Sequence, residues 1–437
     1  MKRYGFSSKT PESALAELRS SLKGNSYALF IVNLIEVLGE IRNSRTFHIT
    51  DIYLTEGEPI RIGQPAVIIP PHLSKRIFLE ESPIIKADNI REVVKTFTGL
   101  KTSLDVEKAL MENKGRLEFS FAVYGYGSFR CTFSKGLNGL SLTIRWLDFS
   151  IPSVEAMNYP PEYTSLLQSL VKEVITELPS ELVPGTRREA PVGFLSKSGG
   201  LILHCGPTGS GKTTAMVSEL YYLAQKINGV ALTYENPIEY PILGATKSHI
   251  LQYDIDEDFK GEFSSLLKHL LRSNPTMVMI GEARSKEELA SLVDVASRGH
   301  LVFSSMHAGN FLGALEILLN LPGDLKEQVA SSLLAIVSHR LVRLPAKRRD
   351  GKAVLVAVPL YEFFMPSDNH RHLIKKGDLT GLVNEINARG GSERRKLYIS
   401  FADYLGYYLS KAPLMFSQEF GSILREIAEK NSGIRRG

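Results

Sequence analysis

The chain has 437 residues, of which 43% are hydrophobic and 23% charged, and these proportions are ordinary for a soluble globular protein. This length predicts roughly two to three domains with a substantial core. The composition excludes disordered, collagen-like and disulfide-scaffold proteins. Lys and Arg total 52 and Asp and Glu total 47, so the net charge is +5. Dedicated nucleic-acid-binding proteins usually carry a larger or more clustered basic excess.

Cysteine usage and the amino terminus bear on the compartment. Cys131 and Cys205 lie far apart and form no CxxC pair, which excludes a zinc ribbon and a thioredoxin-like motif and favours a reducing, cytosolic compartment. Residues 1–3 are not followed by the apolar region of a secretory signal. The longest apolar stretch, residues 28–38, is too short to span a bilayer. We therefore expect a cytoplasmic protein that reaches a membrane only through a partner.

The first part of the chain predicts an α+β domain over residues 1–149. Thr10 is placed to cap a helix that starts at Pro11. A second, rather buried helix is predicted over 26–42. Hydrophobic alternation or short apolar runs predict strands over residues 47–54, 117–124, 130–133 and 140–146.

A change in pattern follows this domain. Three prolines and few apolar repeats predict a linker over 150–165. Residues 166–365 alternate between helix and strand signals, which is typical of an α/β domain with a parallel sheet. The regularity then weakens, and we expect a helical carboxyl-terminal segment over 366–437.

A phosphate-binding loop is the strongest motif in the chain. The apolar run 201–205 is followed at once by Gly206–Thr213, which reads G-x-x-x-x-G-K-T, and then by a helix predicted to end near Ile227. In this context the backbone N–H groups and the start of the helix attract phosphate oxygens. Lys212 is expected to reach the β- and γ-phosphates and Thr213 to hold Mg²⁺. The nucleotide-binding residues predicted are Gly206, Pro207, Thr208, Gly209, Ser210, Gly211, Lys212, Thr213 and Thr214. His204 and Cys205 are expected to be core residues of the preceding strand.

Carboxylates follow two later strands. Glu235 and Glu239 lie four residues apart just past a strand end, where they could hold Mg²⁺-bound water or orient the attacking water; a solvated turn is the alternative. Glu282 follows the apolar strand 276–280 and is the candidate to polarise that water, whereas an ordinary charge after a strand is the alternative. His307 follows the strand 301–305 and is a candidate sensor of the γ-phosphate, although a single histidine at such a position is more often structural.

Taken together, these segments resemble the secretion ATPase superfamily, whose members drive type II and type IV secretion, conjugation and type IV pili. The residues that carry the resemblance occur in the family's order. They are the loop 206–213, Glu235–Glu239 as its Asp box, Gly281–Arg284 as its Walker B segment, and Arg298–His307 as its His box. The amino-terminal half resembles the family's PAS-like domain through residues 50–54, 57–61, 117–121 and 127–130.

The resemblance implies a fold and a set of roles. The fold is a RecA-like P-loop ATPase core preceded by a PAS-like α+β domain and followed by a helical appendage, with ATP between the two domains. Glu282 is implied to be catalytic, Glu235 and Glu239 to assist at the metal and the water, and His307 to be the sensor. Glu282 and Glu239 would reach Mg²⁺ through water. Arg130 and Arg145 match the amino-terminal arginines that complete the family's active site.

Features of the sequence also separate branches of the family. The four-cysteine zinc insertion usual in pilus-extension and type II secretion members is absent, which favours the pilus-retraction, PilT-type group and the type IVB, DotB-like group. Asn236 stands where the family's Asp box usually carries Asp, and Arg298 where a small residue is usual. The first 25 and the last 70 residues show no clear counterpart.

These observations predict a cytoplasmic, Mg²⁺-dependent ATPase that hydrolyses ATP to ADP and phosphate. The resemblance implies a homo-hexameric ring, peripheral at the inner membrane, that acts on a platform protein of a pilus or secretion machine. One alternative is a hexameric nucleic-acid motor, but the basic clusters 347–349 and 394–396 are short, and we do not expect nucleic acid as a direct ligand. The other is a regulator that binds ATP without hydrolysing it; Glu282, both box carboxylates and His307 argue against it.

Overall fold

The chain forms two compact units, Met1–Ser150 and Ile151–Gly437. The computed structural model describes residues 2–4, 11–22, 28–43, 51–62, 67–68, 77, 84–123, 126–137, 139–147, 151–177, 189–196, 199–242, 246–321, 325–347, 353–411, 425–426 and 429–430. The predicted cap Thr10, most of the basic cluster 347–349 and nearly all residues after 411 lie outside these ranges.

The first unit contains four longer helices and seven strands among the described residues. The helices are α1 (Pro11–Ser21), α2 (Ala28–Asn43), α3 (Ala87–Thr98) and α4 (Ser103–Glu112). The strands are β1 (Lys2–Tyr4), β2 (Asp51–Thr55), β3 (Arg61–Ile62), β4 (Val67–Ile68), β5 (Arg116–Val123), β6 (Gly127–Gly136) and β7 (Gly139–Leu147).

The strands of the first unit form one sheet with the order β1-β5-β6-β7-β2-β3-β4, antiparallel except for the β1–β5 pair. The alternation of residues along β5, β6 and β7 turns one face of the sheet towards the helices. Phe97 of α3 stacks on Phe121 at 3.5 Å between ring centroids, and Phe121 stacks on Phe129. The predicted α+β character and the predicted helices and strands agree with these elements.

The aromatic stack gives a stability prediction for this unit. Replacing Phe121, which is 2% exposed, by Ala is expected to lower the free energy of unfolding by about 3–5 kcal/mol because a cavity opens between two rings. Leu137→Ala is the control, since the Leu137 side chain is fully exposed and its loss should cost less than about 0.5 kcal/mol. Chemical denaturation measures both; equal effects would contradict this account of the core.

The second unit contains the remaining elements of the described chain. Its helices are α5 (Pro161–Ser169), α6 (Lys212–Ala224), α7 (Ile255–Phe259), α8 (Phe263–Ser273), α9 (Lys286–Ser297), α10 (Phe311–Leu319), α11 (Lys326–Ser332), α12 (Asp368–Lys376), α13 (Leu379–Ala388), α14 (Gly391–Arg395) and α15 (Phe401–Lys411). Its strands are β8 (Val171–Glu177), β9 (Glu189–Leu195), β10 (Gly200–Cys205), β11 (Gly229–Glu235), β12 (Ser248–Asp254), β13 (Met277–Ile280), β14 (Leu301–Met306), β15 (Leu333–Lys347), β16 (Ala353–Phe364) and β17 (Tyr398–Ile399).

A mixed sheet of the order β12-β11-β13-β14-β10-β15-β16-β17 forms the centre of this unit. Six neighbouring strands are mutually parallel, namely β12, β11, β13, β14, β10 and β15. Strand β16 runs antiparallel to its two neighbours, β15 and β17. The central strands β10, β13 and β14 are buried along their whole length, as expected for a sheet covered by helices on both faces. The predicted α/β architecture with a parallel sheet is therefore confirmed, and His204 and Cys205 are buried as expected.

Two segments differ from the sequence-based expectation. Val154, Met157 and Tyr159, which lie in the predicted linker, are buried in the core of the second unit. Their few apolar side chains gave no periodic signal, but Tyr159 packs edge-on against Tyr163 of α5. The linker assignment is therefore wrong for these residues.

The carboxyl-terminal helices also contribute to the core of the second unit. Ile374, Leu382 and Ile386 are buried on one face of the sheet, whereas Phe401 and Tyr404 are buried on the other. Between them, β17 extends the central sheet. Within the described part of the chain, no helix combines the length and the apolar character required to cross a bilayer.

Candidate functional site

The glycine-rich loop connects β10 to α6. Gly206 has φ +145°, and a Cβ there would lie 2.5 Å from the backbone oxygen of His339 on β15, so only glycine fits. Gly209 and Gly211 also have positive φ, and a Cβ on either would meet nothing within 4 Å. The loop thus packs closely on the sheet at its start and is open where phosphates would bind.

Lys212 is the first residue of α6 and has a buried side chain. Its Nζ donates hydrogen bonds to the backbone oxygens of Gly206 at 2.9 Å and Pro207 at 3.1 Å. Burial lowers the pKa of Lys212, and the charges of Glu282 and Glu239 oppose that shift. The ammonium group is therefore held within the loop, near two of the predicted carboxylates.

The remaining predicted loop residues follow the same strand–loop–helix arrangement. Thr213 and Thr214 occupy the first turn of α6, where backbone N–H groups lack partners within the helix. The Thr214 hydroxyl hydrogen-bonds the Tyr240 hydroxyl at 2.9 Å. This contact ties the helix start to the segment that carries Glu239.

Glu235 ends β11 with a side chain that is 2% exposed. Its Oε1 accepts hydrogen bonds from Thr233 Oγ1 at 2.8 Å and from Gln252 Nε2 at 3.2 Å. Its Oε2 is buried and makes no hydrogen bond within the described residues. Burial raises the pKa of Glu235 from its usual 4.5 to about 7, and the hydrogen bonds from Thr233 and Gln252 only partly offset this.

This raised pKa gives a pH-dependent stability prediction. In the unfolded chain Glu235 ionises near pH 4.5, but in the folded chain it keeps its proton up to about pH 7, so its burial costs stability as pH rises through that window. Glu235→Gln removes this cost. Its free energy of unfolding relative to wild type should rise by up to about 3 kcal/mol between pH 4.5 and 7 and then level off. Denaturation without Mg²⁺ or nucleotide tests this; a difference that is constant with pH would contradict it.

Glu282 and His307 face each other across the ends of two strands. Glu282 follows β13, and its Oε1 lies 2.7 Å from Nε2 of His307, which follows β14. The Nε of Arg284 approaches the other oxygen at 3.2 Å. Glu282 is thus oriented from two sides, although the His307 side chain is 57% exposed and free to meet a ligand.

The predicted residues of the second unit meet at one edge of the sheet. Strands β10, β11, β13 and β14 are parallel, so their carboxyl ends deliver Lys212, Glu235, Glu282 and His307 to the same edge, where α/β proteins bind ligands. A threonine hydroxyl and carboxylates are oxygen donors of the kind Mg²⁺ prefers. The buried Oε2 of Glu235, which has no hydrogen-bond partner among the described residues, also fits a bound ion or its water. The donor set therefore fits a Mg²⁺–nucleotide site.

Arg130 and Arg145 belong to the first unit and lie directly opposite each other on β6 and β7. Both therefore point to the same face of that sheet. The Nε of Arg145 lies 3.1 Å from Oδ1 of the buried Asp51, while half of the Arg145 side chain is exposed. Their pairing places two cations side by side on a polar face.

Several site residues were not found by sequence reasoning. Thr233 and Gln252 bind Glu235, and Arg284 binds Glu282. Glu219 and His339 lie buried beneath the glycine-rich loop. Arg284 lies inside a recognised motif and could have been found, whereas the pairing of Gln252 with Glu235 depends on the neighbouring positions of β11 and β12 and has no local signal.

An α/β domain with a mixed, largely parallel sheet carries the glycine-rich loop between β10 and α6. Residues 184–380 match the family model described as "Type II/IV secretion system protein". This match over residues 184–380 confirms the resemblance to the secretion ATPase superfamily noted in the sequence.

Curated proteins are also similar in sequence to this chain. The chain is 31% identical to the competence protein ComGA of Bacillus subtilis over 48% of this chain and 50% of that protein. It is 29% identical to the type IV pilus ATPase PilU of Pseudomonas aeruginosa over 60% of each. The chain thus spans half to three fifths of these relatives.

Two solved structures share the fold. The pilus retraction motor PilT with bound ADP matches 89% of this chain and 96% of its own, with a TM-score of 0.63 and 24% identity. The ATPase DotB of Legionella pneumophila matches 92% and 96%, with a TM-score of 0.66 and 15% identity. At these identities the likeness establishes the fold.

Proposed function

We propose that this chain is a Mg²⁺-dependent ATP hydrolase that works as a homo-hexameric motor. It would power a type IV secretion or conjugation machine or a retraction-type type IV pilus, from the cytoplasmic side of the inner membrane. The observation that carries this proposal is the meeting of Lys212, Glu235, Glu282 and His307 at the sheet edge beside the glycine-rich loop. The family assignment supports the choice of machine.

The site has the parts that phosphoryl transfer to water requires. Lys212 would leave the loop carbonyls for the β- and γ-phosphates, and the loop N–H groups would hold the same oxygens. Thr213 and, through water, Glu239 would hold Mg²⁺, which neutralises charge on the phosphates. Glu282 would take the proton from the water that attacks the γ-phosphorus. The bond between the γ-phosphorus and the oxygen that bridges it to the β-phosphate would break, and ADP would leave.

His307 is proposed to link Glu282 to the nucleotide state. In the structure, Nε2 of His307 contacts Oε1 of Glu282, and most of the His307 side chain is exposed. A γ-phosphate within reach would compete for the same N–H group. Glu282 would then be released towards the water only when ATP is present.

Arg130 and Arg145 are proposed to serve the same reaction by neutralising charge on the transferring phosphoryl group. The proposal rests on the family resemblance and on the shared sheet face of the two side chains. Arg145→Ala should then lower kcat more than it raises KM.

We also propose a PAS-like domain at 1–149 and a RecA-like domain at 166–365, followed by a helical segment at 366–437.

Capture of the ATP-bound protein in its host tests the proposed machine. Glu282→Gln should bind ATP without releasing it as ADP, so cross-linking should trap the working complex. Lys212→Ala, which should bind ATP at least about 30-fold more weakly, is the matched control. If a pilus platform protein, or a secretion or conjugation complex, is recovered with Glu282→Gln and not with Lys212→Ala, that result supports the corresponding machine. A ring recovered with nucleic acid and no membrane protein would overturn the proposal in favour of a nucleic-acid motor.

A further inference from the structure

A chain of buried polar side chains runs beneath the glycine-rich loop. Nδ1 of His204 lies 2.8 Å from Nε2 of His339, and Nε2 of His204 lies 3.2 Å from Oε2 of Glu219. The Tyr163 hydroxyl donates to the same oxygen of Glu219 at 3.0 Å. All four side chains are fully buried. We call this set the sub-loop network.

The network is attached to both ends of the loop. His204 lies on β10, two residues before Gly206. Glu219 lies on α6, seven residues after Lys212, so two helical turns place it on the same face of the helix as that lysine. The backbone of His339 packs against Gly206 so closely that no side chain could fit there. The strand that enters the loop, the helix that leaves it and the neighbouring strand are therefore joined by directional hydrogen bonds.

The charge state of the network matches this position. Burial lowers the pKa of His339 far below its usual value, and the positive charge of Lys212 lowers it further, so the ring is neutral. A neutral His339 that donates from Nε2 lets His204 accept at Nδ1 and donate from Nε2 to Glu219. His339 Nδ1 then keeps a lone pair, and it has no hydrogen-bond partner among the described residues. The ring near Lys212 thus adds no competing positive charge.

Such a network is a poor way to stabilise a core. Buried polar and ionic groups are often no more stabilising than apolar groups of the same volume, but they fix geometry because hydrogen bonds are directional. Ile202, Val217 and Val337 belong to the hydrophobic core of this unit. We therefore expect the sub-loop network to matter chiefly for the placement of the loop.

We propose that His204, Glu219 and His339 are positioning residues that hold the glycine-rich loop and Lys212 in the arrangement that accepts the phosphates of a nucleotide. The proposal rests on the proposed function, because it assigns a second layer of residues to that phosphate site. Tyr163 completes the layer by fixing the carboxylate of Glu219 from α5.

A second buried network supplies matched controls. Glu362 accepts hydrogen bonds from Ser338 Oγ at 2.9 Å and from the Tyr398 hydroxyl at 2.7 Å, and it is fully buried like Glu219. Its hydrogen bonds join β15, β17 and the first residue of α10. Changes at Glu362 therefore remove a buried carboxylate from a different set of elements than changes at Glu219 do.

The test compares ADP affinity with thermal stability. Glu219→Met should weaken the binding of a fluorescent ADP analogue about tenfold, while Tm falls no more than in Glu362→Met, since each change leaves buried donors without an acceptor. Glu219→Gln keeps an oxygen acceptor and should retain nearly wild-type affinity. Glu362→Met should leave the affinity unchanged. If Glu219→Met folds poorly, the same comparison can be made with Tyr163→Phe and its control Tyr398→Phe. We expect Tyr163→Phe to lose about threefold in affinity for the ADP analogue and Tyr398→Phe to lose none.

The outcomes separate this proposal from the proposed function. Wild-type protein that fails to bind the ADP analogue overturns both. Wild-type protein that binds, together with unchanged affinity in Glu219→Met or Tyr163→Phe, overturns the positioning role alone. Affinity and Tm that fall together, equally at Glu219 and Glu362, also overturn it, because that result indicates a purely structural network.

Discussion

Glu282→Gln is expected to bind ATP with nearly wild-type affinity and to hydrolyse it at least about 100-fold more slowly. The amide keeps the shape of the side chain and can still accept a hydrogen bond from His307 or Arg284, so the ends of β13 and β14 should keep their geometry. It cannot take a proton from water. The loss should therefore appear in kcat and not in the affinity for ATP.

The control for this variant lies a few residues away. Glu287→Gln makes the same chemical change in the exposed first turn of α9 and should leave turnover within about twofold of wild type. Phosphate release and equilibrium binding of ATP, measured on both variants, separate chemistry from binding. Turnover in Glu282→Gln close to that of wild type would show that another group activates the water.

Lys212→Ala is expected to weaken nucleotide binding at least about 30-fold, since truncating one partner of a desolvated, hydrogen-bonded charge pair costs about 2–5 kcal/mol. Without nucleotide, the folded protein should lose little stability. The ammonium group is buried against two backbone oxygens, and burial already lowers its pKa. The variant should therefore lose the rise in Tm that ATP or ADP confers on wild type.

Lys226→Ala is the matched control for that variant. Lys226 lies just beyond the other end of α6, where its Nζ sits 4.9 Å from the centre of the Tyr222 ring. Its loss should change nucleotide affinity very little. An equal loss of affinity in both variants would indicate a general effect of positive charge and would contradict a specific role for Lys212.

Much of the site could be predicted from the sequence because its signals are local. The glycine-rich loop, Glu282 and His307 each follow an apolar strand directly, and parallel strands that end at one edge bring such residues together. The fold class followed from the same alternation of strands and helices. Local pattern and final structure agree here because each side chain lies next to the element that places it.

The partners of these residues could not be predicted in the same way. The contact between His204 and His339 joins positions 135 residues apart, and it depends on β15 pairing with β10 after several crossovers. His204 alone looked like an ordinary core residue, and it is buried as expected, but its polar partners came from other elements. Tyr159 was misassigned to a linker for the same reason, since its aromatic neighbours Tyr163 and Tyr361 lie elsewhere in the chain.

The most direct test of the central claim is a single-turnover assay with γ-labelled ATP and purified full-length protein in excess. Wild type should release labelled phosphate with Mg²⁺ and not with EDTA, Glu282→Gln should retain intact ATP, and Lys212→Ala should retain little nucleotide. ATP that binds to wild type in a Lys212-dependent way but is recovered intact, with or without Mg²⁺, would contradict the hydrolase and identify a nucleotide-binding regulator instead.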